Sequence, residues 1–164
     1  MQIDKTAVAP GVWSVSLTPD IVDLYSEILD QSKENQILFC KSIGAMLDLE
    51  YVDHVIYDYK YVLEQGNITA GPSLWHSDGN GRFDCQLMTY IVDPEINAET
   101  GMRVGFRNSL TQESHYMNVS KGTSFLARQD LPEYQHHVEP KRRNITQRVC
   151  FTICFQGLNK LGII

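Results

Sequence analysis

The stretch 147–156, Gln-Arg-Val-Cys-Phe-Thr-Ile-Cys-Phe-Gln, alternates two kinds of residue without a break. Val149, Phe151, Ile153 and Phe155 are interleaved with Arg148, Cys150, Thr152, Cys154 and Gln156. Side chains of an extended strand point in turn to opposite faces. The pattern therefore predicts a strand with one bulky apolar face and one small or polar face headed by an arginine. The apolar face requires a cover. The other face reads as the wall of a cavity that holds something polar.

A cover is available near the N-terminus. Thr18 is a capping residue, Pro19 suits the first helical position, and Asp20 complements the positive end of a helix dipole. Ile21, Leu24, Tyr25 and Ile28 then recur at helical spacing and form one apolar face. This helix is expected to end between 31 and 35, and 36–50 can hold a second helix, interrupted near Gly44. From about Val55 the pattern changes to strands, with candidates at 55–63, 86–92, 102–107, 114–119, 123–127, 134–139 and 147–156. Turn signals separate them: Gly79-Asn80-Gly81, 97–101, Asn108-Ser109, Lys121-Gly122 and 141–144. Many short strands after a helical start predict a mainly β (α+β) fold of sandwich or barrel type, and the order does not support alternating βαβ units. The 164 residues show no internal repeat, low-complexity segment or linker. One domain spanning 1–164 is expected, with a helical part at about 18–50 and a β core at about 55–156.

Composition narrows the function classes. The net charge is −6 and the pI about 5.3, an acidic balance that argues against a nucleic-acid partner, whose phosphates call for Lys and Arg. The one basic cluster, Lys141-Arg142-Arg143, is short and reads as a solvated turn. No run of about 18 apolar residues occurs, so no membrane span is expected. Met-Gln-Ile-Asp-Lys at the start has no basic region followed by an apolar stretch, which points to a cytoplasmic protein. Cys40, Cys85, Cys150 and Cys154 form no Cys-x-x-Cys pair, so buried reduced thiols are expected rather than a structural zinc site.

Three pieces of sequence carry chemistry. In His76-Ser77-Asp78, two ligands at i and i+2 of an extended segment point the same way, and an imidazole with a carboxylate suits Fe(II) and similar ions. His136-His137-Val138-Glu139-Pro140 lies in a separate expected strand and can supply a third ligand, which completes a 2-His-1-carboxylate face with open positions. Arg148 follows on the final strand. A guanidinium inside a cavity needs an anionic partner, and a bound carboxylic acid and Glu139 are the two candidates.

In this order the pieces resemble the Fe(II)/2-oxoglutarate-dependent oxygenases. Trp75-His76-Ser77-Asp78-Gly79 looks like that family's first metal motif, His136 to Pro140 like its distal histidine motif, and Arg148 like its co-substrate arginine. The segments 86–93 and 101–107 also look like the strands that follow the metal motif, so the resemblance covers roughly 57–156. It implies a double-stranded β-helix, or jelly roll, with Fe(II) held by His76, Asp78 and His136. It implies 2-oxoglutarate as co-substrate, anchored by Arg148, and O2 as oxidant, with succinate and CO2 released. The family spacing favours His136 over His137, since adjacent strand residues face opposite ways. Many members carry Ser two residues after the arginine, where this chain has Cys150, a weak donor. Thr152 and Tyr90 are the candidates to replace that hydrogen bond.

The implied reaction is hydroxylation of a C–H bond in a small molecule, an amino acid or a peptide side chain. The alternative is a cupin-like protein that binds a metal or an acid without turnover, since fold does not set function. Among the remaining candidates, Trp75 is expected to face away from the site into a core. His54 and His115 read as surface or structural, and Arg103, Arg107 and Arg128 as exposed.

Overall fold

The computed structural model describes residues 3–59, 74–79, 81–93, 95–96, 102–139 and 145–162. The expected strand end at 60–63, the turn signals at 97–101 and 141–144, Pro140 and the side chain of Arg148 lie outside the described residues. The fold is mainly β with two helices and antiparallel sheets.

The first two elements are strands absent from the sequence expectation: β1 (Lys5–Ala9) and β2 (Val12–Val15), paired antiparallel around Pro10-Gly11. Gly11 has φ of 70°, and a Cβ there would also come within 2.8 Å of the Tyr134 ring, so the turn requires glycine. Helix α1 (Pro19–Ile28) begins as expected, with the Thr18 hydroxyl accepting from the Ile21 backbone N–H. Its buried residues are Ile21, Val22, Tyr25 and Ile28. Leu24, expected on that face, is exposed, and Val22 takes its place because the core lies slightly around the helix from the expected stripe.

Helix α2 (Lys33–Leu47) starts earlier than expected, capped by Ser32, and runs through Gly44 without interruption. Gly44 is a contact point rather than a break. A Cβ there would lie 2.8 Å from the Leu49 carbonyl oxygen and 3.0 Å from the Phe155 ring. Asp48 ends the helix in the left-handed region at φ 58°, turning the chain into β3 (Glu50–Tyr59).

The remaining strands are β4 (Cys85–Tyr90), β5 (Glu95–Ile96), β6 (Met102–Asn108), β7 (Ser114–Val119), β8 (Ser124–Arg128), β9 (Tyr134–Val138) and β10 (Ile145–Gln156). A 3-10 turn, Leu158–Leu161, follows. The larger sheet runs in the order β1-β2-β8-β4-β10-β3, with β5 also pairing β10, and the smaller sheet in the order β7-β6-β9. His76 bridges to His136, so the segment at 74–79 lies against the outer edge of β9.

Two apolar clusters sit on opposite faces of the larger sheet. On one face Phe151, Ile153, Phe155 and Leu87 pack under Tyr25, Ile43 and Leu47 of the helices. On the other, Met88, Tyr90 and Phe125 meet Val104, Phe106 and Val138 of the smaller sheet. All six residues of β4 are buried, as befits a strand covered on both faces. The apolar face of the final strand is thus covered by helices as expected, with Tyr25 edge-on to Phe151 at 4.9 Å between centroids.

His54, read from the sequence as a surface residue, is buried at 6% exposure. Its ring stacks on Phe151, its Nδ1 meets the Tyr51 hydroxyl at 2.9 Å, and its Nε2 meets Gln36 Oε1 at 2.9 Å. β3 turns this position toward α2, which is why a histidine beside an aspartate is interior. Burial, and then the Lys33 ammonium, hold its pKa below the ordinary histidine value, against the opposing charge of Asp53. All four cysteines are free and buried. Among the described residues no helix is long and apolar enough to cross a membrane.

Two outcomes follow. Gly44→Ala, which would stabilise an exposed helix by up to about 1 kcal/mol, is expected to destabilise this one by about 1–2 kcal/mol, read from urea unfolding midpoints. Because the fold disfavours protonated His54, the unfolded chain takes up the proton first. The His54 contribution is complete above about pH 6.5 and is lost as pH falls toward the depressed folded value. The drop in unfolding midpoint from pH 7.5 to 5.5 should therefore shrink in His54→Gln.

Candidate metal centre

Two strand edges build the site. The His76 backbone N–H donates to the His136 carbonyl at 3.1 Å, and the His136 N–H donates back to the His76 carbonyl at 2.9 Å. In such a closely bonded antiparallel pair the two side chains emerge on the same face. The imidazole centroids lie 4.4 Å apart. Asp78, two residues beyond His76, brings its Oδ1 to 3.7 Å from His76 Nε2 and its Oδ2 to 3.3 Å from His136 Nε2. One donor atom from each of the three residues lies within 4.8 Å of the others. The two histidines and the carboxylate named from the sequence therefore converge, and His137 does not join them.

The donors are oriented by their surroundings. His76 Nδ1–H donates to the Leu74 carbonyl at 2.7 Å, which leaves Nε2 as the lone-pair nitrogen facing the cluster. Gln86 Nε2 donates to Asp78 Oδ2 at 3.1 Å. Partial burial works against the Asp78 charge. Hydrogen bonding and charge from His136, then the His76 charge and the Gln86 amide, outweigh it and hold its pKa down at about 2. The carboxylate is thus ionised across the working range, the form that ligates. His76 and Asp78 keep about a third of their side-chain surface exposed (35% and 32%), so the centre can be reached from outside. Two imidazoles and one carboxylate on a single face, with the other side open, fit a divalent first-row metal that must also take exogenous ligands.

The turn carrying the motif is pinned from below. Gln129 Oε1 accepts from the Asp78 backbone N–H at 2.7 Å and from the Ser77 hydroxyl at 3.2 Å, and its Nε2 donates to the Arg128 carbonyl at 2.8 Å. Gly79 lies so close that a Cβ there would sit 1.9 Å from the Gln129 carbonyl oxygen. Gln86 and Gln129 escaped the sequence reading. For Gln86 the available signal was a glutamine inside an apolar strand, which demands a buried partner without naming it; Gln129, just beyond β8, carried no such signal.

On the reverse face the neighbours of both histidines form a clamp. Trp75 stacks on His137 with centroids 3.7 Å apart, and the Arg107 guanidinium lies 4.5 Å above the Trp75 ring. The Tyr116 hydroxyl meets His137 Nε2 at 3.0 Å. Gly105 makes room, since a Cβ there would come within 2.7 Å of both the His137 and Tyr116 rings. Trp75 does face away from His76, but it is half-buried on the outer side of the smaller sheet rather than in a core.

The other sequence-derived candidates are dispersed. Tyr90 is buried between the sheets, opposite Cys150 in register. Thr152 is buried and lines a cavity that also touches Asp78. Arg148 pairs with Tyr59 in the β10–β3 register. Glu139 accepts two hydrogen bonds from Arg103. Arg128 is held by Asp130 and Tyr134, and Arg107 donates to Gln135, so these arginines are partly buried and engaged, not free surface charges. No protein-family model matches the sequence, and no curated protein matches it.

The clamp carries a prediction. Trp75→Ala should weaken Co(II) affinity by roughly 10-fold to 100-fold, as loss of a supporting contact does at other metal sites, with a two-state unfolding curve retained. Trp75→Phe, which keeps a stacking ring, should recover most of the loss in the same anaerobic titration.

Proposed function

We propose that this chain is an Fe(II)- and 2-oxoglutarate-dependent oxygenase of jelly-roll architecture that hydroxylates a C–H bond and releases succinate and CO2. The observation that carries the reading is the convergence of His76, Asp78 and His136, with donor atoms within 4.8 Å, on the edge between two facing sheets. Strand order supports the jelly roll. β3, β10, β4 and β8 are neighbours in one sheet, and the 74–79 segment, β9, β6 and β7 are neighbours in the other. These eight stretches, four to a sheet, match the content of a jelly roll, with β1, β2 and β5 as additions to the larger sheet.

His76 and His136 would hold the iron through Nε2 and Asp78 through its carboxylate. Bound there, Fe(II) supplies a centre at which a 2-oxo acid and O2 meet, so that one oxygen atom ends in succinate and the other in the substrate hydroxyl. The protein's part is orientation and shielding. Leu74 sets the tautomer of His76 through its carbonyl, and Gln86 steadies one oxygen of Asp78. Arg148 is the proposed anchor for the far carboxylate of 2-oxoglutarate. Cys150, buried two residues further along β10, has a poorly donating thiol 3.9 Å from the Thr152 hydroxyl. Thr152 and Tyr90, two of the buried hydroxyl-bearing residues of the same sheet, are the proposed assistants.

Anaerobic addition of Fe(II) and then 2-oxoglutarate tests the proposal. A weak visible charge-transfer band near about 500–530 nm is expected. At low co-substrate it should vanish in Arg148→Ala, and Asp78→Ala should lose the iron without losing the fold. Iron binding with no band at saturating 2-oxoglutarate would overturn the oxygenase reading in favour of a cupin-like metal-binding protein.

A further inference from the structure

We propose, resting on the oxygenase reading, that the cavity beside Asp78 is the substrate pocket and that it takes a free small zwitterion of amino-acid size, its ammonium group on Asp53 and its carboxylate on Arg82. The cavity has a volume of about 310 Å³. That is the small end of the range for ligand sites, enough for a metabolite and too little for a folded partner's loop. Asp78 forms part of its wall, so a molecule held there lies directly against the metal-binding carboxylate. Val55 and Phe83 add apolar surface, and Thr152 a hydroxyl.

The charged groups are what select the ligand. Asp53 and Arg82 both line the cavity, and among the described residues no ion pair joins them. Apart from the metal-binding carboxylate of Asp78, the cavity is therefore bounded by one anionic and one cationic group, both at its exposed rim and with no ion pair between them. A ligand carrying both complementary charges meets both groups, and one lacking either forgoes one of the two charge-assisted contacts.

Each group is also held in place. Asp53 Oδ1 accepts from the His54 backbone N–H at 2.8 Å, and the adjoining His54 ring is locked on Phe151 in the core. Arg82 donates through Nη2 to the Asp78 carbonyl at 3.3 Å, which ties the guanidinium to the metal motif and leaves further N–H groups for a carboxylate. Cys154, also on the wall, has its thiol pushed up to about 12 by burial and then by the Asp53 and Asp78 charges, so it adds no charge of its own.

In the completed reaction, a C–H of the zwitterion, O2 and 2-oxoglutarate give the hydroxylated zwitterion, succinate and CO2. A residue within a peptide has amide groups where the free molecule has ammonium and carboxylate, so the pocket distinguishes the two.

Titration calorimetry on the full-length chain loaded with redox-inert Zn(II) reads binding without turnover. The probes are the common free amino acids, each compared with its N-acetyl and its carboxamide derivative. At least one free amino acid is expected to bind, with each blocked derivative weaker by roughly tenfold or more. Asp53→Asn should abolish the penalty for N-acetylation. Arg82→Gln should abolish the penalty for the carboxamide, and Arg82→Lys should restore it. Val55→Trp, at a partly exposed position, should fill the cavity and remove amino-acid binding while Zn(II) affinity is kept. Binding of none of the free amino acids, or equal binding of free and doubly blocked forms, overturns the assignment. The two proposals fail separately. A charge-transfer band without zwitterion binding removes only the pocket assignment, and zwitterion binding without a band removes only the oxygenase reading.

Discussion

A pair of backbone hydrogen bonds between His76 and His136 joins two parts of the chain that sequence keeps far apart. Everything in the candidate metal centre hangs from this pair. It sets both imidazoles on one face, and the strand period then delivers Asp78 to the same face and sends Trp75 and His137 to the other. Ligands and clamp are therefore two sides of one object. What the inner side needs in geometry, the outer side supplies in stacking. The Gln129 amide adds a third attachment by holding the turn that carries Asp78 against the end of β8.

The larger sheet is the rigid support for this arrangement, and β10 is its centre of gravity. Phe151 has no exposed surface and touches Tyr25 and Phe39 of the helices and the His54 ring of β3. The same strand turns Cys150 and Thr152 the other way, toward the inter-sheet core and the cavity. One strand thus divides the helix-covered apolar cluster from the inter-sheet core and the cavity beside it. Within β10 itself the bulky apolar side chains lie on the helical side and the smaller or polar ones on the other.

Much of this was legible in the sequence because it rests on period. The alternation of β10 and the placing of His136 and His137 on opposite faces follow from side chains pointing alternately up and down, while the preference for His136 comes from the resemblance to a family motif. The features that escaped depend on which neighbour a face meets. Val22 rather than Leu24 is buried because α1 leans on the sheet at an angle that its own pattern does not state. His54 is interior because α2 covers that part of β3. The hairpin of β1 and β2 is built from short runs whose stability comes from pairing with β8. Gly44 looked like a helix break, yet its function is to let Phe155 approach. In the site, the three donors were legible as residue types at suggestive spacing. Gln86 and Gln129 were not, since their roles exist only once distant strands are adjacent.

The adjacency of His136 and His137 gives the chain a particular sensitivity to frame. A slip of β9 that brought His137 into the place of His136 would still present an imidazole to His76 and Asp78. It would, however, leave Trp75 stacking against whatever residue replaced His137, and it would carry Val138 from the inter-sheet core to the outer surface. A point substitution removes one side chain and leaves the frame, and a single-residue insertion or deletion in β9 is therefore a different insult. Such a change would keep the same inventory of ligands and dismantle the architecture that aims them.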